Sequence, residues 1–104
     1  MKKDIVRYTF SQSVSMREAE ETLLLAVLAV ESLFGESTVR LDASFSIDSS
    51  RRACVIDAST DVGRAICRVF TGFVSREFGS DAFKIHRVDS LPAEEETAAC
   101  AAAC

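Results

Sequence analysis

A long apolar stretch between Ser15 and Gly35 is the feature that most constrains the fold of this 104-residue chain. Ser15, with Glu18 three residues later, has the pattern of a capping box that begins a helix, and Gly35 is a residue that commonly ends one. Between them, apolar residues recur at three- and four-residue spacing, as in a helix that buries one face. Because the uninterrupted apolar run covers only 23–30, and a membrane span needs about 20 residues, the stretch predicts a long amphipathic helix packed on a core.

The other periodic segments predict four strands and a second helix. Residues alternate between apolar and polar over Ile5–Phe10 and, more strictly, over 39–48, which is typical of half-buried strands. After a turn, 52–58 is a third strand, with either Cys54 and Ile56 or Ala53 and Val55 inward; we favour the first pair. Ser59, Thr60 and Asp61 offer N-caps for a helix that ends at Phe78. The segment Phe83–Val88 is the last strand, with Phe83 and Ile85 inward.

This order, strand, helix, strand, strand, helix, strand, predicts an α+β fold. Two interleaved right-handed crossover units form a four-stranded antiparallel sheet with both helices on one face. The order resembles the ferredoxin-like plait over about residues 4–89, and this resemblance is one of topology alone. It implies a βαββαβ two-layer sandwich in which residues 1–90 form a single domain.

Residues 91–104 form a low-complexity tail of alanine, glutamate and cysteine. Composition alone favours disorder in the tail. The alternative is an alanine-rich helix, since Ser90, Pro92 and three glutamates make a fair helix start.

The two predicted helices carry more apolar residues than one buried face requires. Leu24 and Leu28 lie together beside the predicted core-facing residues of the first helix, which are Met16, Ala19, Leu23, Ala26, Val27, Val30 and Phe34. The second helix has a similar group, formed by Cys67, Phe70 and Val74, beside its predicted core-facing residues Val62, Ile66, Val69 and Phe73. At about 100° per residue, the two groups lie on the same rotational side, so we expect them to pack against each other. Leu25 and Phe78 are then left without a partner inside the subunit.

Charge and composition disfavour several classes of partner. The formal net charge is −4, and residues 1–89 carry 12 basic and 13 acidic side chains, so we expect no basic face for nucleic acid. The open sheet face also lacks the aromatic side chains on its central strands that base stacking needs. The N-terminus lacks the apolar run of a signal peptide. We therefore expect a cytoplasmic protein, without a membrane anchor, whose cysteines are thiols.

No combination of side chains predicts catalysis, a metal site or a cofactor. Cys54 and Cys67 are thirteen residues apart and fit buried apolar roles. Cys100 and Cys104 supply too few ligands for structural zinc, which usually takes four. The single histidine, His86, is predicted on the open sheet face between Lys84 and Val88, without a positioned partner for acid–base work. We therefore expect a protein that is not an enzyme.

The start of the second helix is the strongest ligand candidate in the sequence. Ser59, Thr60, Gly63 and Arg64 combine hydroxyls, a glycine and a guanidinium with exposed helix N–H groups, which could bind an anion. Asp61 places a negative charge at the same point, so simple capping is the favoured interpretation.

Two functional hypotheses follow. The first is a non-catalytic interaction module that forms a homodimer, with a protein partner as a further option. The second is a small-molecule or anion sensor that uses the start of the second helix. The dimer contact would involve the unpartnered apolar residues and the regular 39–48 edge strand, since long edges invite pairing. Its predicted residues are Leu25, Phe78, Arg40, Asp42 and Ser44.

Overall fold

A computed structural model of the chain describes residues 4–88, where helices cover one face of a four-stranded antiparallel sheet. The elements, in chain order, are β1 (Ile5–Phe10), α1 (Met16–Phe34), α2 (Glu36–Asp42), β2 (Phe45–Asp48), β3 (Ala53–Asp57), α3 (Asp61–Phe78), a single 3₁₀ turn (Ser80–Ala82) and β4 (Phe83–Val88). The α+β class and the four-stranded antiparallel sheet are confirmed. The described part of the chain contains three α-helices, so the expectation of two is wrong.

The strands lie in the order β2-β3-β1-β4, so β2 and β4 are the edges. In the register of the sheet, Tyr8 lies opposite Cys54 on one side and opposite Ile85 on the other. Because paired residues of antiparallel strands share a face, these three side chains belong to the covered face. The favoured orientation of the third strand is confirmed, since Cys54 and Ile56 are both fully buried.

The core lies between the covered sheet face and the buried sides of α1 and α3. Tyr8 is its central side chain, and its ring meets that of Phe70 edge to face, with centroids 4.9 Å apart. The Tyr8 hydroxyl also lies 2.7 Å from Thr71 Oγ1. The largest fully buried side chains are Tyr8, Phe70, Leu23, Ile56, Ile66, Val30, Val62, Val74 and Cys54.

Helix α1 begins and ends as its sequence predicts. The Ser15 hydroxyl accepts a hydrogen bond from the Glu18 N–H at 3.4 Å, and Gly35 ends the helix with φ +90°, a conformation that glycine adopts without strain. Its buried side consists partly of small residues, since Ala19 and Ala26 are fully buried beside Leu23.

The predicted strand over 39–48 is wrong in its first half. Residues Glu36–Asp42 form α2, and only Phe45–Asp48 is a strand. Arg40 donates a hydrogen bond to Glu36 at 2.9 Å, a pairing one turn apart that supports a helix. Val39 is buried whereas Leu41 is 85% exposed. Ala43 and Ile47 also pack, partly buried, against the core. The alternating apolar residues are thus divided between α2, a connection and a short strand, and the long edge strand does not form.

The predicted packing between the surplus apolar groups is also wrong. Leu24 and Leu28 are 48% and 57% exposed, while Phe70 and Val74 are fully buried in the core. Phe73, predicted to face the core, is instead partly exposed. Helix α1 has its predicted core-facing side, since Ala19, Leu23 and Ala26 are fully buried. Helix α3 is rotated from its predicted orientation, because Phe70 rather than Phe73 faces the sheet. Helices α1 and α3 do pack against each other.

The tail at 91–104, with Cys100 and Cys104, and the proposed boundary at residue 90 lie outside the described residues. Among residues 4–88, no helix has the length and apolar character required to cross a membrane.

Candidate functional site

The start of α3 brings together the four residues of the predicted anion site, but their polar groups already bind one another or the backbone. The Thr60 hydroxyl accepts from the Gly63 N–H at 2.9 Å and lies 3.2 Å from the Asp42 carbonyl, to which it can donate. The Ser59 hydroxyl accepts from the Asp4 N–H at 2.9 Å. Thr60 therefore acts as the N-cap, which agrees with simple capping.

The charge and the glycine at this site also have internal roles. The Arg64 guanidinium contacts the carboxylate of Asp61 and donates to the Ala58 carbonyl at 3.3 Å. Gly63 is buried, and a β-carbon built on it would lie 1.9 Å from the Asp57 carbonyl oxygen. The glycine is needed because α3 lies directly against the end of β3. The anion site thus remains a prediction whose donors are largely engaged within the chain.

The two thiols of the described residues are buried to different degrees and are unsuited to nucleophilic chemistry. Burial raises the pKa of Cys54 from its ordinary value of 9.0 to about 12. Burial is also the main reason that the pKa of Cys67 is raised. Because the thiolate is the reactive form, both side chains are held in their inert state at neutral pH. Burial likewise raises the pKa of the Tyr8 phenol.

The open sheet face carries polar side chains of β1 and β4. His86 lies opposite Arg7, and Lys84 lies opposite Thr9, in the pairing of β4 with β1. The expected outward position of His86 is confirmed, but Arg40 and Asp42, predicted on an edge strand, lie in α2. Ser44 lies between α2 and β2, where its carbonyl accepts from the Asp57 N–H at 2.9 Å.

A small depression at one end of β1 and β4 does not form a ligand pocket. It is bordered by Thr9, Phe10, Ser11 and residues 81–84 and measures about 190 Å³, below the 300–1,000 Å³ typical of ligand pockets. Within residues 4–88, no group of three or more His, Cys, Asp or Glu side chains is placed to hold a metal ion.

The outer side of α1 carries a cluster of exposed leucines. Leu24 and Leu28 lie two positions before and after the fully buried Ala26, which places them on the side of the helix opposite the core. Leu25 adjoins them and is 57% exposed. We call Leu24, Leu25 and Leu28 the α1 outer face. Of the predicted contact residues, Leu25 lies in this face, whereas Phe78 packs partly buried against the core.

The outer side of α3 differs from that of α1 in character. Arg68 and Gly72 lie two positions before and after the fully buried Phe70, and Arg76 follows one turn later. All three residues are exposed. We call Arg68, Gly72 and Arg76 the α3 outer face. The position of Gly72 in mid-helix is a visible signal of a close approach in the sequence, but Arg68 and Arg76 were not predicted to lie beside it.

Comparison with known proteins adds no assignment to these surfaces. The chain matches no protein-family model, no curated protein and no solved structure.

Proposed function

We propose that the chain is a non-catalytic interaction module that self-associates through the α1 outer face. The observation that carries this proposal is the exposure of three leucines, 48–57% each, on one side of a helix whose other side is buried. Single exposed apolar residues are normal, but a contiguous group of large ones is typical of an interaction site.

The edges of the sheet are less suited to self-association than this face. Strand β2 has four residues, too few for the extended edge expected from the sequence. Strand β4 has six residues but carries Lys84 and Arg87. Positively charged side chains on an edge strand disfavour pairing with a second copy of the same strand. The edge contact predicted through Arg40, Asp42 and Ser44 therefore has little support.

We further propose that the fold is a ferredoxin-like plait with one added helix. Counted from the β4 edge, the strand order is β4-β1-β3-β2, as expected for two interleaved crossover units, and α1 and α3 follow the first and third strands. Helix α2 is an insertion between α1 and β2. Because one fold serves many functions, the functional proposal rests on the α1 outer face.

The proposal is tested by replacing the two leucines opposite the core. The double variant Leu24→Ser with Leu28→Ser should weaken the dimer at least tenfold, because fully burying a leucine contributes about 1.5–3 kcal/mol. Sedimentation equilibrium over a concentration series measures this change.

Leu41→Ser provides the matched control, since Leu41 is exposed but lies on α2. It should leave the association constant unchanged. Equal weakening by both variants would show that the α1 outer face has no special role.

A further inference from the structure

We infer that self-association pairs unlike faces, with the α1 outer face of one copy on the α3 outer face of a second copy. This inference rests on the proposed self-association and adds to it the partner surface and the symmetry. The α1 outer face is therefore covered by a second copy of this chain, which makes the contact through its α3 helix.

The arrangement of the two helices permits such a pair. Helices α1 and α3 pack against each other, and both bury their inner sides on the same sheet face. They run antiparallel, because the strands they follow, β1 and β3, are antiparallel. A two-fold axis that runs parallel to the helices, outside the subunit and level with the gap between their outer faces, places α1 of the second copy against α3 of the first. The same axis places α3 of the second copy against α1, so the interface closes on itself as a dimer.

The charges on the two outer sides are complementary. On α1, Glu21 and Glu31 lie near the exposed leucines. The Nε atom of Arg17 lies 3.5 Å from the Glu21 carboxylate. On α3, the α3 outer face presents two arginines, Arg68 and Arg76. Among residues 4–88, neither arginine takes part in an ion pair. Pairing two α3 outer faces would oppose guanidinium groups to one another, whereas pairing unlike faces opposes the α1 carboxylates to the α3 guanidinium groups.

Gly72 gives the α3 outer face a shape that suits the leucines. Glycine is among the least favourable residues inside a helix, so a glycine there usually marks a close approach. A β-carbon built on Gly72 would have nothing within 4 Å, so no neighbour within residues 4–88 accounts for it. Between the two arginines, the bare backbone at Gly72 leaves room for a leucine side chain of a second copy.

Charge reversal tests the pairing of unlike faces. One double variant is Arg68→Glu with Arg76→Glu, and the other is Glu21→Lys with Glu31→Lys. Each alone should weaken the homodimer at least tenfold, because its two helix faces then carry the same sign of charge. Mixed in equal amounts, the two should form a heterodimer with an affinity within about threefold of wild type, since both contacts are then complementary.

The charge control is Arg51→Glu with Lys84→Glu. It changes the net charge by the same amount as Arg68→Glu with Arg76→Glu, but at exposed positions outside the helices. It should dimerise as wild type does. If wild type dimerises and the Arg68/Arg76 variant dimerises equally well, the pairing of unlike faces is wrong while self-association stands. A wild-type chain that is monomeric at 1 mM overturns both proposals.

A third variant tests the close approach at Gly72 without changing charge. Gly72→Gln replaces the glycine with a good helix former, so the monomer should fold with its circular dichroism spectrum unchanged. We expect its dimer to be at least tenfold weaker than that of wild type. An unchanged association constant would mean that no second copy rests on Gly72.

Discussion

The two glycines of α3 lie in opposite environments, although both interrupt the same helix. Gly63 is buried at the start of α3, where a β-carbon would lie 1.9 Å from the Asp57 carbonyl oxygen. Gly72 is exposed in the middle of α3, with no atom within 4 Å of such a carbon. The first glycine is explained by packing inside the subunit and the second is not. The inner side of α3 therefore packs against the subunit's own backbone at Gly63. The outer side at Gly72 has no such contact within residues 4–88.

The largest expected effect is on the inner side, at Gly63. Gly63→Ala should destabilise the fold by about 3 kcal/mol, because the added methyl group meets backbone that cannot move aside easily. Urea unfolding monitored by circular dichroism measures the change in the free energy of unfolding. A loss below about 0.5 kcal/mol would mean that β3 and α3 are farther apart than described.

A second prediction assigns the alkaline sensitivity of the fold to the inner side. The pKa of Cys54 is raised in the folded chain from 9.0 to about 12. The folded state therefore holds its proton more tightly, so this contribution to stability is complete below pH 9 and is lost as pH rises from 9 toward 12. Urea midpoints of wild type should fall over this range.

Cys54→Ala is the matched variant for this titration. It should have a lower midpoint at pH 7, because the substitution leaves a small cavity, but a shallower decline between pH 9 and 11. Burial also raises the pKa of Tyr8, so part of the fall in the urea midpoint should remain in the variant. Identical slopes for the two proteins would contradict the assignment to Cys54.

The smallest expected effect is on the outer side, at Gly72. Gly72→Ala should stabilise the monomer by up to about 1 kcal/mol, because alanine favours the helix and meets nothing in the chain. The thermal midpoint measured at micromolar concentration, below dimer formation, should rise. Destabilisation of the dilute monomer would show that Gly72 has an intramolecular role and would remove the contrast with Gly63.

Local signals in the sequence were sufficient for most of the fold. Helix α1 begins at the Ser15 cap and ends at Gly35, as predicted. The alternation in β1 and β4 places Tyr8 inward and His86 outward. These predictions succeeded because each depends on neighbours in the chain. The strand predicted over 39–48 failed because its first four residues belong instead to the seven-residue helix α2, in which Val39 is buried and Arg40 pairs with Glu36.

Helix orientation was predicted correctly for α1 and only in part for α3. Ala19 and Ala26 of α1 are buried as predicted, whereas on α3 Phe70 rather than Phe73 is fully buried. What failed for α1 was the expectation that Leu24 and Leu28 contact the second helix. Whether residues beside the core-facing side are covered depends on how the two helices pack, which no local pattern encodes. Because Leu24 and Leu28 are exposed instead, they form the candidate site.

The same limit applies to the start of α3. Ser59, Thr60 and Arg64 were correctly placed together by the sequence, but their partners Asp4, Asp42 and Ala58 lie on other elements or across a turn. Residue types alone therefore suggested an open site where the folded chain has internal hydrogen bonds.

The mass of the full chain in solution tests the central claim most directly. Sedimentation equilibrium from 1 µM to 1 mM should show a weight-average mass that rises from 11.3 kDa toward twice that value. A mass that stays at 11.3 kDa across the whole range would contradict the proposal that the exposed leucines of α1 serve self-association.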